Sequence, residues 1–411
     1  MMSPTDTEDQ RQAIDFSTKA HYLTKVFKSP FYSRQEALNH LKEWGRWADY
    51  LSPRAYTCSA MEYFACRNAC TVFDLTPMSK YRISGKDALH YLNRLVTREV
   101  SKIKPGRVGY CIWCTDEGQA VDDGTIFHLG KDHYRLCSQE RHLDWLLTNT
   151  VGFDVQVVDE THEVAALALQ GPTSCVTLKN MGLDGVENMK IFDIQRFPFE
   201  GTQLTVSRTG FTGDLGYELW IDPGHAEVLW DRLFEAGRLH GIQAMGDEAL
   251  QMLRIEAGFI QCRHEFMPAH ATVRAGHTRS PFELGLDWLV DFKKPNFNGR
   301  KALLAQKKHG HRFNLVKLDI EGNKPACDSY VFTKKNKQIG TVTSAIWSPS
   351  AKASIALATL ETPHGEPGEE LMVEVYYQKE LKWNRVMAKA RVVADVFYDP
   401  PRKRVTPPAD F

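Results

Sequence analysis

An excess of charge of either sign is missing from this sequence. Its 51 lysines and arginines balance 51 aspartates and glutamates over 411 residues. A chain without net charge has no long-range field that would attract nucleic acid or an acidic membrane surface. We therefore expect a small-molecule substrate, and no nucleic-acid or membrane partner.

Long apolar runs are missing as well. No segment approaches the roughly 20 apolar residues that cross a bilayer, and the first residues, MMSPTDTEDQRQ, lack the apolar core of a signal peptide. We expect a cytoplasmic protein, whose oligomeric state the sequence leaves open.

Cysteine is sparse and irregularly spaced, with nine residues in the whole chain. An odd number without framework spacing favours reduced thiols over structural disulfides. Cys111 and Cys114 form a CxxC pair, but their segment reads as a strand running into a turn, whereas a redox pair belongs at a helix N-terminus. Cys66 and Cys70 have no further ligands nearby. We interpret both pairs as packing residues and expect no metal site.

The chain is long enough for roughly two to four domains. Residues 33–51 show a helical period, and the following segments alternate between strands and helices. This order predicts an α+β layer, an antiparallel sheet with helices on one face. The last hundred residues read as short strands separated by turns, which predicts a small β-barrel or sandwich.

An aromatic-rich stretch lies near the N-terminus. It contains Trp44, Trp47, Tyr50, Tyr56 and Tyr63. An aromatic cage would bind a methylated ammonium or sulfonium ion through cation–π attraction. Helical packing explains the same residues without a ligand, and we favour packing.

Six segments in consistent order resemble the tetrahydrofolate-dependent aminomethyltransferase family, which includes the glycine-cleavage T-protein and folate-dependent demethylases. The segments are VFDLTPMSKYRISG (72–85), LALQGP (167–172), SRTGFTGDLGYELWI (207–221), GDEALQMLRIEAGF (246–259), FELGLDWLVDFKKPNFNGRKAL (from 282) and GTVTSAIWSPSAKASIALATL (from 340).

The resemblance implies a three-domain cloverleaf, with two interleaved ferredoxin-like α+β domains and a C-terminal small β-barrel or jelly-roll domain. Tetrahydrofolate would lie in a central channel as co-substrate. The expected division is 30–78 with 162–262, 79–161 with 263–305, 306–411, and an N-terminal arm over 1–29.

Glu218 is the candidate for folate recognition. A pterin ring presents a ring N–H and an exocyclic amine, and a carboxylate accepts from both; glutamate also occupies this position in the T-protein motif. An exposed strand glutamate is the alternative. The glycines around it predict a loop whose backbone can approach a flat ligand. Further cofactor-binding candidates at motif positions are Phe211, Tyr217, Met78, Tyr110 and Arg254.

Arg254 is embedded among apolar helix residues, so it must be paired if buried. The partner would be either a ligand or Glu218, or else Glu256 or Asp247.

Glu99 stands where the resemblance implies a catalytic aspartate, so it is the catalytic candidate. The alternative is a solvated glutamate at a helix end.

Cys262 and Arg263 stand where the T-protein has a tyrosine-glycine pair. We interpret Cys262 as packing, because no base that would activate it is identifiable. A guanidinium can clamp a substrate carboxylate, so Arg263 and the neighbouring His264 are substrate-binding candidates, although a histidine can equally be structural.

The favoured function is a tetrahydrofolate-dependent demethylase acting on a small N-, S- or O-methylated compound. A methyl group on an onium centre needs little acid–base chemistry, whereas an aryl ether needs an acid, which the sequence does not identify. The alternatives are the aminomethyltransferase of glycine cleavage and a folate-binding non-enzyme of the iron–sulfur assembly type.

Overall fold

The computed structural model describes residues 26–408 and the short strand 13–14. Most of the arm predicted over 1–29 lies outside these residues. Within the described chain the α-helices are α1 Tyr32–Leu38, α2 Ser59–Asn68, α3 Ala88–Leu95, α4 Leu143–Thr148, α5 Ser174–Asn180, α6 Ala226–Gly237, α7 Asp247–Glu256 and α8 Arg300–His309.

The strands alternate with these helices and then follow one another without interruption. They are β1 Ala13–Ile14, β2 Val26–Phe27, β3 Glu43–Trp47, β4 Tyr50–Ala55, β5 Cys70–Asp74, β6 Ser79–Ser84, β7 Arg107–Cys114, β8 Ala120–Gly130, β9 His133–Ser138, β10 Gln156–Asp159, β11 Ala165–Gln170, β12 Ile194–Phe199, β13 Thr202–Ser207, β14 Gly216–Ile221, β15 Ile242–Ala244, β16 Phe313–Ile320, β17 Tyr330–Phe332, β18 Gln338–Ser348, β19 Ala353–Glu361, β20 Glu370–Lys379 and β21 Lys382–Val393.

The chain divides into two compact units. The first contains the residues up to Tyr81, Asp159–Leu250 and the segment from Pro401; the second contains Arg82–Val158 and Gln251–Pro400. Both units are discontinuous along the chain. The division into three domains stays a prediction.

The first unit is organised by a six-stranded sheet in the order β12-β13-β14-β11-β5-β15. Its neighbours are antiparallel except for β15, which runs parallel to β5. Apolar residues of α5 and α6, among them Leu178, Leu229 and Leu233, are fully buried in one core with the inward-facing residues of the sheet. This arrangement fixes which residues of β14 face the core.

The second unit holds β7, β8 and β9, which are consecutive antiparallel strands. It also holds a closed barrel in the order β16-β19-β18-β17-β20-β21. Alternate residues along the barrel strands, such as Leu318, Val373 and Ala358, form its core. The predicted α+β class and the C-terminal barrel are confirmed.

The predicted helix over 33–51 is wrong beyond Leu38, because β3 and β4 occupy residues 43–55. Gly45 and Pro53 disfavour a helix, and the aromatic residues between them favour strands. Lys42 and Ala48 adopt positive φ angles of 56° and 48° at the turns.

The aromatic-rich stretch packs against other parts of the protein, as the favoured interpretation expected. Trp44 and Trp47 lie on β3, and Tyr63 lies on α2. Trp44 stacks on Tyr32 with ring centroids 5.1 Å apart, and Trp47 lies 6.0 Å from Phe73. Tyr63 is fully buried.

The nine cysteines are free thiols. Cys111 and Cys114 are both buried on β7, and burial raises the pKa of each thiol. None of the helices in the described part of the chain combines the length and apolar character that a bilayer crossing needs.

Candidate functional site

Glu218 lies in the middle of β14, between β11 and β13, and its side chain is only partly exposed. Ser207 donates a long hydrogen bond of 3.4 Å to its carboxylate and in turn accepts one of 3.2 Å from the Trp220 indole. Among the described residues, no cation forms an ion pair with Glu218. Burial raises its pKa to about 7, although hydrogen bonds from Thr209 and Ser207 oppose the shift.

The glycine-rich loop beside Glu218 is explained by packing inside the protein. The Gln170 side chain lies so close that a Cβ atom at Gly210 would be 1.9 Å from its Oε1, and one at Gly216 would be 2.2 Å away. Thr212 donates to the same oxygen at 3.0 Å, and the Gln170 amide donates to the Thr209 carbonyl at 3.2 Å. These glycines leave room for the buried Gln170 side chain. Sequence analysis had instead interpreted them as leaving room for a ligand.

The other candidates of the first unit differ in exposure. Tyr217 is fully buried in the core on the face of β14 opposite Glu218, because neighbouring strand residues point opposite ways. This position suits packing rather than contact with a ligand. Phe211 and Met78 are partly exposed. The buried ammonium of Lys80 holds the Met78 turn by donating to the carbonyls of Thr76 at 2.7 Å and Met78 at 2.9 Å.

In the second unit, Tyr110 on β7 donates a hydrogen bond of 2.7 Å to the Asp123 carboxyl on β8. The two residues lie on the same face of the sheet, because Asp123 pairs with Ile112, two positions from Tyr110. Both side chains are partly exposed. Burial and the neighbouring Asp122 raise the pKa of Asp123 to about 8, although the tyrosine hydrogen bond opposes this. The raised pKa favours the protonated form of Asp123.

Glu99 has a structural task at the start of a short 3-10 turn, Val100–Lys102. Its carboxylate accepts from the Ser101 backbone at 3.1 Å, the Ser101 hydroxyl at 2.7 Å and the Asn93 amide at 2.8 Å. Burial alone would raise its pKa, but these hydrogen bonds lower it overall. A carboxylate held in this way is poorly suited to proton transfer. The catalytic role of Glu99 stays a prediction.

Arg254 is completely buried, and its partner is Glu265 at 2.9 Å rather than any of the partners expected from sequence. The guanidinium also donates to the Phe259 carbonyl at 3.2 Å and to Ser344 on β18 at 2.7 Å. Most of its donors are thus used inside the second unit, and its predicted contact with folate stays a prediction.

Arg263 and His264 are exposed in a tight turn between Cys262 and Phe266. Arg263 adopts a φ of 68°, in the left-handed region that favours glycine, and forms an ion pair of 2.7 Å with Glu140. Such backbone costs of order 1 kcal/mol or more for a non-glycine residue. Glycine, which the resemblance implies at this position, would relieve that strain.

The chain matches two family descriptions over most of its length. Residues 33–294 match the GCVT N-terminal domain, and residues 314–399 match the glycine cleavage T-protein C-terminal barrel domain.

The chain belongs to the glycine cleavage T-protein family.

Relatives within the T-protein family carry more than one activity. The trimethylamine-oxide aldolase of Ruegeria pomeroyi is 35% identical over 84% of this chain, which spans only 43% of that protein. The aminomethyltransferase of Halothermothrix orenii is 31% identical over 85% of this chain and 95% of its own length. The aminomethyltransferase T of the Bartonella henselae glycine cleavage system shares the fold, with a TM-score of 0.78 and 24% identity over 90% of this chain and 98% of that one. The T-protein family is one of enzymes, so the prediction of an enzyme is confirmed.

Sequence analysis missed Asp123, although the chain carries a signal for it. Two consecutive aspartates stand in the strand sequence AVDDGTIF. Neighbouring strand residues face opposite sides of a sheet, so one of the two aspartates must face the protein interior. Carboxyl groups are rare there, because burying a charge costs free energy.

Proposed function

We propose that this protein is a tetrahydrofolate-dependent demethylase that moves a one-carbon group from a small N-, S- or O-methylated substrate to tetrahydrofolate. Membership of the T-protein family supports the reaction class. The observation that carries folate binding is Glu218, a largely enclosed carboxyl group that no cation of the described chain compensates. Such a group is stabilised when a ligand supplies N–H donors.

In this proposal Glu218 accepts hydrogen bonds from the ring N–H and the exocyclic amine of the pterin. Phe211 and Met78, both partly exposed, supply apolar contacts to the flat ring. Folate supplies a nitrogen that receives the carbon and gives up its proton. The bond between the methyl carbon and the substrate heteroatom breaks, and its electron pair stays with the leaving group.

Asp123 supplies the acid that sequence analysis could not identify. It donates its proton to the leaving nitrogen or oxygen and is reprotonated from solvent, which also takes up the proton of the folate nitrogen, so no net proton is consumed. Tyr110 orients the carboxyl group through its hydrogen bond of 2.7 Å. A pKa near 8 keeps Asp123 protonated at neutral pH. Neutral amines and ethers, whose leaving groups need a proton, benefit most from this arrangement.

Arg263 and His264 remain the candidates for substrate binding, because both are exposed and a guanidinium can clamp a substrate carboxylate. The similarity to a trimethylamine-oxide aldolase supports methylated amines as the first donors to examine. The second candidate function is aminomethyl transfer from a lipoyl carrier, which the full-length similarity to the Halothermothrix orenii aminomethyltransferase favours.

The test is incubation of the purified chain with tetrahydrofolate and separate methylated amines, betaines, sulfonium compounds and methoxybenzoates. Mass spectrometry follows both the folate adduct and the demethylated product. We expect stoichiometric adduct and product with at least one donor, and loss of both in Asp123→Asn. Asp116→Asn is the matched control, because Asp116 is an exposed aspartate in the turn between β7 and β8.

A parallel reaction contains the lipoyl carrier loaded from glycine. Formation of methylene-tetrahydrofolate and ammonia there, with no transfer from any methylated compound, would replace demethylation by the second candidate. No folate adduct in either reaction, together with no tetrahydrofolate binding by calorimetry, would refute the proposal.

A further inference from the structure

Asp122, the neighbour of Asp123, points to the opposite face of the β7–β8–β9 sheet and is completely buried. A carboxyl group in such a place needs several hydrogen-bond donors if it is to carry a charge. The proposed reaction does not use this residue.

The donors come from three segments of the second unit. The Asp123 backbone N–H donates to Oδ1 at 2.9 Å, and the Glu140 backbone N–H donates to Oδ2 at 3.3 Å. The Cys262 thiol also hydrogen-bonds to Asp122. The Nε2 atom of His142 lies 2.8 Å from Oδ2.

His142 is held rigidly beside this carboxyl group. It is 3% exposed, and its ring meets the Trp113 ring edge-on with centroids 5.9 Å apart. Burial lowers the pKa of His142 to about 4, so the imidazole is neutral at physiological pH. Burial raises the pKa of Asp122 to about 8, and the hydrogen bonds from the backbone and Cys262 oppose this shift. A neutral imidazole carries one N–H, and an N–H on Nε2 would donate to Asp122 and favour its charged form.

The charge on Asp122 reaches Asp123 in two ways. Its Oδ1 atom accepts a hydrogen bond of 2.9 Å from the backbone N–H of Asp123, whose side chain in turn accepts one of 2.7 Å from Tyr110. A nearby negative charge also disfavours ionisation of Asp123. Burial works against a charged Asp122, so removal of one donor favours its protonation.

We propose that His142 is a positioning residue for the transfer reaction: by donating to Asp122 it keeps that carboxyl group charged and thereby keeps Asp123 protonated and oriented. This inference rests on the proposed role of Asp123. The charged and titratable groups that act on Asp122, Asp123 or His142 are Glu140, Arg263, Cys262, Glu265, Tyr110, Cys111 and His270.

The experiment measures the titration of Asp123 directly, so it does not depend on turnover. The chain is labelled with carboxyl-13C aspartate, and the NMR signal of Asp123 is identified by its absence in Asp123→Asn. The titration is compared in the unaltered protein, His142→Phe, which removes the donor, and His142→Asn, which keeps one. His309→Phe, an exposed histidine at the end of α8, is the matched control.

We expect the Asp123 titration midpoint to fall by about one pH unit in His142→Phe. His142→Asn should recover at least part of the shift, and His309→Phe should show none. The part of the pH–activity profile that depends on Asp123, and is therefore absent in Asp123→Asn, should also shift to lower pH in His142→Phe. An unchanged midpoint in a folded His142→Phe protein would overturn the inference, even if transfer activity is present. A shifted midpoint without any transfer activity would leave the coupling intact and refute the proposed function instead.

Discussion

The pKa values of individual carboxyl groups in this protein depend on how deeply each group is buried and on the hydrogen bonds that it accepts. Glu218 and Asp123 have raised pKa values because burial disfavours the charged form of each. Glu99, which accepts several hydrogen bonds, has a lowered pKa. Three carboxyl groups thus differ in chemistry for reasons that residue type alone does not reveal.

Replacement of Glu218 by glutamine should weaken tetrahydrofolate binding by roughly 10- to 100-fold, the usual cost of losing hydrogen bonds to a charged group. In the unaltered protein, the ionised carboxylate is the binding form. With a pKa of about 7, affinity should fall by about tenfold from pH 8 to pH 6 as the proton returns. Calorimetry at both pH values measures this.

Glu218→Gln should lose the pH dependence together with the affinity. Glu163→Gln alters an exposed glutamate of the same unit and should change neither. Equal affinity of Glu218→Gln and the unaltered protein would contradict the role of this residue.

Replacement of Arg263 by glycine tests whether the strained arginine serves function rather than stability. Glycine relieves the positive φ angle, and the lost ion pair with the partly exposed Glu140 is worth about 0–1 kcal/mol. The free energy of unfolding in urea should therefore stay within about 1 kcal/mol or rise. The KM of a carboxylate-bearing methyl donor should increase at least tenfold.

Lys352→Gly is the control, because Lys352 is another exposed cation with a positive φ angle, 52°. It should leave the KM unchanged. A pronounced loss of stability in Arg263→Gly with an unchanged KM would assign the arginine to the fold.

At the scale of secondary-structure elements, a buried ionic network joins α7, the turn after it and the barrel strand β18. Glu265 accepts from Arg254 at 2.9 Å, from the Gln261 backbone at 2.7 Å and from Thr343 at 3.2 Å, and it also accepts from Ser344. These bonds compensate two charges that are fully removed from water, so the elements are held in one arrangement.

Glu265→Gln should destabilise the protein by about 3–5 kcal/mol, because it leaves the Arg254 charge buried without a counter-ion. Chemical denaturation measures the loss. Glu374→Gln is the matched control: Glu374 is also buried, but its partner Arg385 is 58% exposed and can be solvated. The control should lose less than half as much. Similar losses in both variants would show that the network is not the cause.

At the scale of the whole chain, the C-terminal segment returns to the first unit. The fully buried Arg208 donates to the Val405 carbonyl and the Thr406 hydroxyl, each at 2.7 Å. Arg402 forms an ion pair of 2.7 Å with Asp214. The last residues of the described chain therefore supply hydrogen-bond and ion-pair partners for two buried charged residues, Arg208 and Asp214.

Deletion of residues 401–411 should lower the free energy of unfolding by at least about 3 kcal/mol, because buried charged groups lose their partners. Urea unfolding compares this truncation with the unaltered protein. An unchanged stability after the deletion would contradict the structural role of the segment.

The amino-acid sequence by itself determined the α+β class, the C-terminal barrel and membership of the T-protein family, because these follow from periodicity, turn residues and local motifs. Its choice of Glu218 as a folate ligand stays a prediction. It did not reveal the strands over 43–55, the glutamine behind the glycine loop, or the partner of Arg254. The consecutive aspartates of AVDDGTIF signalled a buried carboxyl group, but not the partners or the pKa of Asp123. Those features depend on which face of a strand enters the interior and on residues distant in the chain that meet there, and only the tertiary structure decides both.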